Sequence, residues 1–380
     1  YTTGNTLSLH DALPISPHYS ERAIQRRLAV APGALEQLTA NAADGRPAVV
    51  AIPHTCLMEM LTCVPALTEA VELPEVGVIY RPLNQPWLDR WVREMRERRG
   101  FRLLARQRGF TEAMRRLRAG QMVAILFDQH ASTGGLLTTS FGRLISASQA
   151  PGRLSVSQNA RLFTAIIERD SFLRGWLRVT PLPEPASTVE GIVHVERWLE
   201  DWLRENPEQR PDWLWMHNRW KTESETATRF RLTGDTASLE ETCRLRNWSH
   251  LPRNTRCWVV LPDDAEPLAV VMPYLQRLRA SRPDFAFTLV GKTDLQASAR
   301  EAFSFETWRD LPPKQLRKGF RPWAWDFPDV VVQLNPRARV RRAAECLDCP
   351  QTFQLESTGV PYAETVASLF EAHGLPDIEG

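Results

Sequence analysis

The chain has 380 residues, 43% of them hydrophobic, and a formal net charge of +2, which is enough apolar material for two buried cores and predicts two domains. Its 6 cysteines are too few for a disulfide framework at this length, which excludes a disulfide-stapled secreted scaffold and fits a reducing compartment. No apolar run approaches the ~18 residues that cross a bilayer, so any work on lipids by these residues is expected from the membrane surface.

In chain order, the segment Thr6-Leu-Ser-Leu-His-Asp-Ala-Leu-Pro-Ile15 reads as one translated frame of a common sequencing-adapter oligonucleotide. Residues 1–16 are therefore taken as an artefactual tail, and His10 and Asp11 are not site candidates. From Arg46 onward, short apolar runs alternate with amphipathic stretches. Ala48–Ile52, Val76–Tyr80, Met122–Phe127, Phe163–Ile167 and Trp176–Val179 are predicted strands, and Pro86–Arg99, Thr111–Ala119 and Glu190–Arg204 predicted helices. In the last of these, Ile192, Val195, Trp198, Leu199 and Trp202 form one stripe, read as core packing. Polar sequence from Thr222 to Asn254 predicts a linker, with a short helix over Ala237–Leu245. Beyond it Trp258–Leu261, Ala286–Val290 and Val330–Leu334 are predicted strands and Val270–Ser281 a helix, a second α/β unit.

The most informative chemistry is His54-Thr-Cys-Leu-Met-Glu59, directly after the first strand. An ideal helix advances ~100° per residue, so positions five apart would diverge by ~140°. His54 is therefore expected in a loop before the helix that carries Glu59. From there Glu59 would accept the Nδ1 proton and leave Nε2 free to take a proton from an alcohol, which points to acyl transfer without a nucleophilic serine. The plainer alternative is a structural histidine beside a solvated glutamate. Between Tyr80 and Ala119 stand twelve arginines against four acidic residues, with Trp87 and Trp91 one helical turn apart. Such a run is most simply a solvated helix face and would also suit nucleic acid, but tryptophans among arginines fit an anionic lipid headgroup layer. Cys346-Leu-Asp-Cys349 is a single Cys-x-x-Cys without a second ligand pair, so no metal is expected.

Downstream of His54 follow Tyr80-Arg81-Pro82, Leu126-Phe127-Asp128-Gln129, Ser140-Phe141-Gly142 and Trp213-Leu-Trp-Met-His-Asn-Arg-Trp-Lys221. In this order and at these intervals they resemble the bacterial lipid A secondary acyltransferases, over roughly Arg46 to Thr222. The wider glycerolipid acyltransferases share a related motif, usually with Asp in place of Glu59; Glu59, the Tyr-Arg-Pro and the Trp-rich end favour lipid A. The resemblance implies a mixed-sheet α/β domain that moves a fatty acyl chain from acyl carrier protein to a hydroxyl of a lipid A precursor. The setting would be the cytoplasmic face of the bacterial inner membrane, with no cofactor and no nucleic acid partner, and the family's N-terminal membrane anchor is expected to be missing here. His54 and Glu59 would be the catalytic pair, so Glu59→Gln is expected to impair transfer. Arg81, Asp128, Gln129, Gly142, Arg219 and Lys221 would bind substrate. Arg81 would meet a phosphate or the thioester oxygen, with a surface ion pair as its alternative. Asp128 would buttress the site or cap a turn, Gly142 would shape the acyl channel, and Arg219 and Lys221 would meet phosphates.

The second unit carries Val259-Val-Leu261, a segment from Met272 to Asp284 ending in Arg282-Pro-Asp284, Phe287-Thr-Leu-Val290 and Pro328-Asp-Val-Val-Val-Gln-Leu334. These resemble the N-terminal half of the lipopolysaccharide heptosyltransferases, a half Rossmann-like unit of GT-B type. Where that family places a Gly-Asp pair, this chain has Glu266-Pro267, and the half that would bind the sugar nucleotide is absent. The expected organisation is a tail over 1–16, an acyltransferase-like domain over 17–225, a linker over 226–253 and a glycosyltransferase-like half domain over 254–380. The chain by itself is not expected to be a competent glycosyltransferase. A non-catalytic or bifunctional lipopolysaccharide-assembly protein is the alternative to the acyltransferase reading.

Overall fold

The computed structural model describes residues 19–34, 36–37, 45–67, 75–214, 216–220, 230–232, 236–311, 326–344, 347, 349, 351–355 and 359–375. The adapter-like tail, Lys221 and Cys346 lie outside these residues. The chain divides into two compact units, one of residues 1–140 and 146–219, the other of residues 141–145 and 220–380.

The first unit is built on a seven-stranded sheet. Its strands are β1 (Leu28–Val30), β2 (Ala48–Ile52), β3 (Val76–Tyr80), β4 (Phe101–Ala105), β5 (Met122–Leu126), β8 (Arg161–Ser171) and β9 (Arg174–Pro181), in the order β1-β9-β8-β2-β5-β3-β4. β6 (Leu136–Ser140) and β7 (Arg143–Ala147) are not strands of this sheet. All neighbours in the large sheet run parallel except β8 and β9. β2 is buried along its whole length, which explains why its sequence is a continuous apolar run and not an alternating one.

All five predicted strands of this unit are present, and helices lie close to their expected places at Pro86–Glu97, Arg106–Arg118 and Thr188–Glu205. The second begins five residues before the expected Thr111. The difference arises at β4, an edge strand hidden within the arginine-rich run. Gly100, at φ 96, reverses the chain after the Pro86–Glu97 helix and feeds it into β4, a turn that glycine makes at little cost. Glu59 is carried on a 3-10 stretch, Met58–Leu67, instead of an α-helix. Pro65 within it cannot donate a backbone hydrogen bond.

The Thr188–Glu205 helix is capped at its N-terminus by side chains. The Ser187 hydroxyl accepts from Glu190 N–H at 3.0 Å, and the Glu190 carboxylate accepts from Ala186 N–H at 2.7 Å. Its buried face carries Ile192, Val195, Leu199 and Trp202 as the stripe predicts, whereas Trp198, the fifth residue of that stripe, is only half-buried. Against it packs the Ala150–Ser157 helix, with backbones in close approach. A Cβ on Gly152 would lie 2.2 Å from the Thr188 carbonyl oxygen, and one on Gly191 2.8 Å from Gly152 Cα.

The second unit holds a five-stranded, wholly parallel sheet of β10 (Thr255–Val260), β11 (Phe285–Gly291), β12 (Thr307–Asp310), β13 (Val330–Gln333) and β14 (Thr352–Gln354). Their order is β12-β11-β10-β13-β14. Counted from β10 this is third, second, first, fourth, fifth, the doubly wound order whose direction reverses between the first and fourth strands. The core joins Val259, Leu261, Phe285, Phe287 and Val332 to Leu275 and Leu278 of the Ala265–Ser281 helix and to Phe370 of the Tyr362–Ala372 helix. The Arg282-Pro-Asp284 motif is a buried ion pair, with Arg282 Nε donating to Asp284 Oδ1 at 2.8 Å and Thr255 Oγ1 donating to Oδ2 at 2.8 Å. Burial raises the Asp284 carboxyl, but the Arg282 charge and hydrogen bonds outweigh it and hold the group below its ordinary value. The expected short helix at Ala237–Leu245 is present.

Candidate active site

β2 and β5 are parallel neighbours with Ile52 opposite Leu126. Two residues further on, the same register sets His54 opposite Asp128, at the carboxyl edge of the sheet. His54 Nδ1 lies 2.6 Å from Asp128 Oδ1, and the His54 backbone N–H donates to Asp128 Oδ2 at 2.9 Å. Asp128 is fully buried and His54 is 4% exposed. Burial pushes the Asp128 carboxyl up. Attraction to the His54 ring, the hydrogen bonds from His54 and the bond from the Trp213 indole outweigh that effect and keep it below the ordinary carboxylate value, so it is an anion at neutral pH. A carboxylate can only accept, so Nδ1 carries the proton and Nε2 presents its lone pair. The Gln129 side-chain Nε2, 3.1 Å away, donates to that lone pair.

A third segment completes the site. Thr55 and Trp213 form an isolated antiparallel bridge, with Leu214 N–H donating to His54 O at 2.9 Å and Cys56 N–H to Asp212 O at 3.0 Å. The Trp213 indole Nε1–H donates to Asp128 Oδ2 at 2.7 Å. Such an imidazole, oriented by a buried carboxylate and with Nε2 turned toward the exposed Gln129 amide, is suited to removing a proton from a hydroxyl that takes the place of that amide. Cys56 is exposed, but local burial and then the neighbouring Asp212 carboxylate push its thiol up, so it is no ready thiolate nucleophile. Among the described residues, no cluster of His, Cys, Asp or Glu is placed to hold a metal, and no helix is long and apolar enough to cross a membrane.

A profile of the bacterial lipid A biosynthesis acyltransferases matches residues 15–222. The match takes in more than half of the chain and contains His54, Asp128, Gln129 and Trp213. The chain belongs to that family. As a lipid A biosynthesis acyltransferase it is an enzyme that transfers acyl groups. No curated protein matches it. A crystal structure of a glycosyl transferase family 9 protein from Veillonella parvula is similar at a TM-score of 0.29 and 18% identity, over 33% of this chain and 42% of that one. The chain thus spans under half the length of that structure, and the fold of the second unit rests on its own strand order.

In this acyltransferase the expected Glu59 to His54 pairing gives way to another arrangement. Nδ1 is taken by Asp128, while the Glu59 carboxylate receives Arg96, with Nε donating to Oε2 at 3.1 Å and Nη2 to Oε1. That pair ties the Met58–Leu67 stretch to the Pro86–Glu97 helix. Arg81 is exposed, the first residue after β3, on the same sheet edge as His54. Arg219 departs from expectation. It is fully buried, paired with Glu196 of the Thr188–Glu205 helix, and its Nη1 donates to Gln129 O at 3.3 Å. A guanidinium so enclosed does not reach a substrate phosphate; it braces the loop that carries Asp128 and Gln129. Gly142, at φ 73, has its carbonyl on Asn254 Nδ2 at 3.1 Å, and a Cβ there would fall 2.7 Å from that nitrogen. The approach of Asn254 accounts for the glycine, so the channel-shaping role expected of it is not needed to explain its place. Of the tryptophans in the basic run, Trp87 is 70% exposed and Trp91 is half-buried.

Sequence reasoning missed Trp213 and Glu196 as supports of the site. Trp213 had a signal, since it opens the Trp-rich motif, but which of its tryptophans faces Asp128 depends on the Thr55 bridge. Glu196 had none, because a glutamate beside a helical apolar stripe reads as a solvated flank.

Proposed function

We propose that this acyltransferase moves a fatty acyl chain from an acyl carrier protein thioester to a hydroxyl of a lipid A precursor, at the cytoplasmic face of the inner membrane. His54 acts as general base, and Asp128 takes the orienting role that the sequence suggested for Glu59. The observation that carries this reading is the 2.6 Å contact of His54 Nδ1 with buried Asp128, with Nε2 turned toward exposed Gln129.

The acceptor hydroxyl replaces the Gln129 amide at Nε2 and attacks the thioester carbonyl carbon as its proton passes to Nε2. The new C–O bond forms a tetrahedral intermediate. Its collapse breaks the C–S bond, and the leaving thiolate takes the proton back from His54, which restores the resting imidazole. The Asp128 anion stabilises the imidazolium between the two proton transfers, as the acidic member of a catalytic triad does. No covalent acyl-enzyme is required, because proximity of donor and acceptor is sufficient. Arg81, exposed on the same edge, suits a phosphate of either substrate. Exposed Trp87 with exposed Arg90 in the following helix suits the headgroup layer.

The test is mass spectrometry of lipid A from bacteria that lack a secondary acyltransferase and express this chain behind a membrane anchor. An added acyl mass in the parent, absent with His54→Ala at equal protein level, is expected. Equal acylation by the His54→Ala chain would remove His54 as the base.

A second reading concerns residues 254–380. The wholly parallel sheet in doubly wound order supports a half domain of the nucleotide-binding kind and, with it, a bifunctional lipopolysaccharide-assembly protein. Recovery of the uninterrupted gene tests it: a second nucleotide-binding half encoded downstream is expected, and a stop codon directly after Gly380 would count against the bifunctional reading.

A further inference from the structure

We propose that Trp213 is a positioning residue of the transfer reaction, its indole N–H fixing the Asp128 carboxylate so that Asp128 holds His54 with Nε2 turned to the acceptor. The inference rests on the reading of His54 as the general base. Trp213 is 4% exposed, and its indole shares Asp128 Oδ2 with the His54 backbone N–H, at 2.7 and 2.9 Å. Oδ2 therefore has a donor for each lone pair, and Oδ1 is left for His54 Nδ1. Three N–H groups converge on one buried carboxylate, which fixes its rotation about the Cβ–Cγ bond.

The backbone explains how the indole is aimed. The Thr55–Trp213 bridge and the bonds Leu214 N–H to His54 O and Cys56 N–H to Asp212 O lock the Trp213 segment against the segment that carries His54. Thus one short rung positions both the base and the donor that orients its carboxylate. Without the indole N–H, the carboxylate would lose one of its donors in a fully buried place and become more basic toward the imidazole. Among the described residues, the charged or titratable groups nearest on elements packed here include Cys56 with Asp212 and Arg169, Arg219 with Glu196, and Glu59 with Arg96. Arg169, Arg219 and Arg96, the cations in this set, are each paired with a carboxylate of their own, and the carboxylates can only accept, so none of these groups stands in for the indole donor.

The rival role is that of an aromatic filler, which Trp213→Phe separates by keeping the ring and removing only the N–H. With the full chain and a purified thioester donor, Trp213→Phe is expected to lower kcat about tenfold, the effect of one hydrogen bond to a charged group, with KM for the acceptor unchanged. The acid limb of the kcat/KM profile is expected to move to higher pH, because a carboxylate that has lost a donor binds the imidazolium more strongly. An unchanged kcat with an unmoved limb, in a folded variant that still requires His54, would overturn the proposal. A second measurement needs neither turnover nor a folded Phe variant. Among the indole N–H resonances of the 13 tryptophans, one should follow the His54 ring titration in the parent chain and lose that response in His54→Ala. No indole signal coupled to His54 would overturn the proposal, whereas an absence of acyl transfer by the parent chain would count against the functional reading alone.

Discussion

At the scale of single residues, the chemistry turns on which carboxylate holds His54. Asp128 has the position for it: the register of β2 and β5 brings it opposite His54, and burial makes the interaction strong because little water competes. Asp128→Asn would replace an acceptor-only group with one that can present N–H to Nδ1 and hold the wrong tautomer. A loss of about 10³–10⁴ in kcat is expected, as for the acidic member of a catalytic triad. Glu59→Gln would weaken the tie to Arg96 without removing the group at Nδ1. Its loss of kcat is expected to be at least about tenfold smaller than that of Asp128→Asn. Steady-state kinetics of both variants with the same acceptor would check this, and a Glu59→Gln enzyme as impaired as Asp128→Asn would restore Glu59 to the reaction.

At the scale of elements, the site depends on strands that deliver side chains to one edge and on helices that hold those strands in place. The Thr188–Glu205 helix has both tasks, covering the core and supplying Glu196 to Arg219, which braces the Gln129 loop. Its contact with the Ala150–Ser157 helix passes over glycine against backbone. Gly152→Ala would gain roughly 1 kcal/mol of helix propensity, but its Cβ would meet the Thr188 carbonyl oxygen at 2.2 Å. Because the obstacle is backbone and not a flexible side chain, the clash should win, with a net loss of about 2 kcal/mol. Urea unfolding of the first unit is the measurement. Gly134→Ala, where a Cβ meets nothing within 4 Å, is the control expected to leave the midpoint nearly unmoved.

At the scale of the whole molecule, two units with separate sheets carry different signals. The basic character of the first is partly neutralised locally, for Arg96, Arg102, Arg115 and Arg116 pair with Glu59, Glu75 and Glu112. Acid stability involves both units, since Asp128 and Asp284 are each held below the ordinary carboxylate value in the fold. A depressed folded pKa gives stability that is present above the unfolded value, about 4, and is lost as pH falls through the lower folded value. Stability of the second unit is therefore expected to fall below about pH 4. Asp284→Asn should flatten that dependence and cost about 3–5 kcal/mol at neutral pH, by leaving Arg282 buried without its counter-charge. Hydrogen exchange of the β10 and β11 amides across pH 3–7 measures it. An unchanged pH slope in the variant would show that other carboxylates set the acid limit.

The sequence by itself determined the α/β class of both units, the strands that flank the site, the stripe of the Thr188–Glu205 helix and the place of His54 after β2. These follow from local pattern, because a buried parallel strand needs a short apolar run and an amphipathic helix needs its period. It also carried the family's motif order, with Asp128 and Gln129 among the candidates. Only the tertiary structure decided that Asp128 and not Glu59 meets Nδ1, that Arg219 is enclosed by Glu196, and that Trp213 reaches Asp128. The physical reason is distance along the chain. His54 and Asp128 are 74 residues apart, and Trp213 and Asp128 are 85. Which polar groups meet across such gaps is set by strand register and by one bridge between loops, and no local periodicity records either.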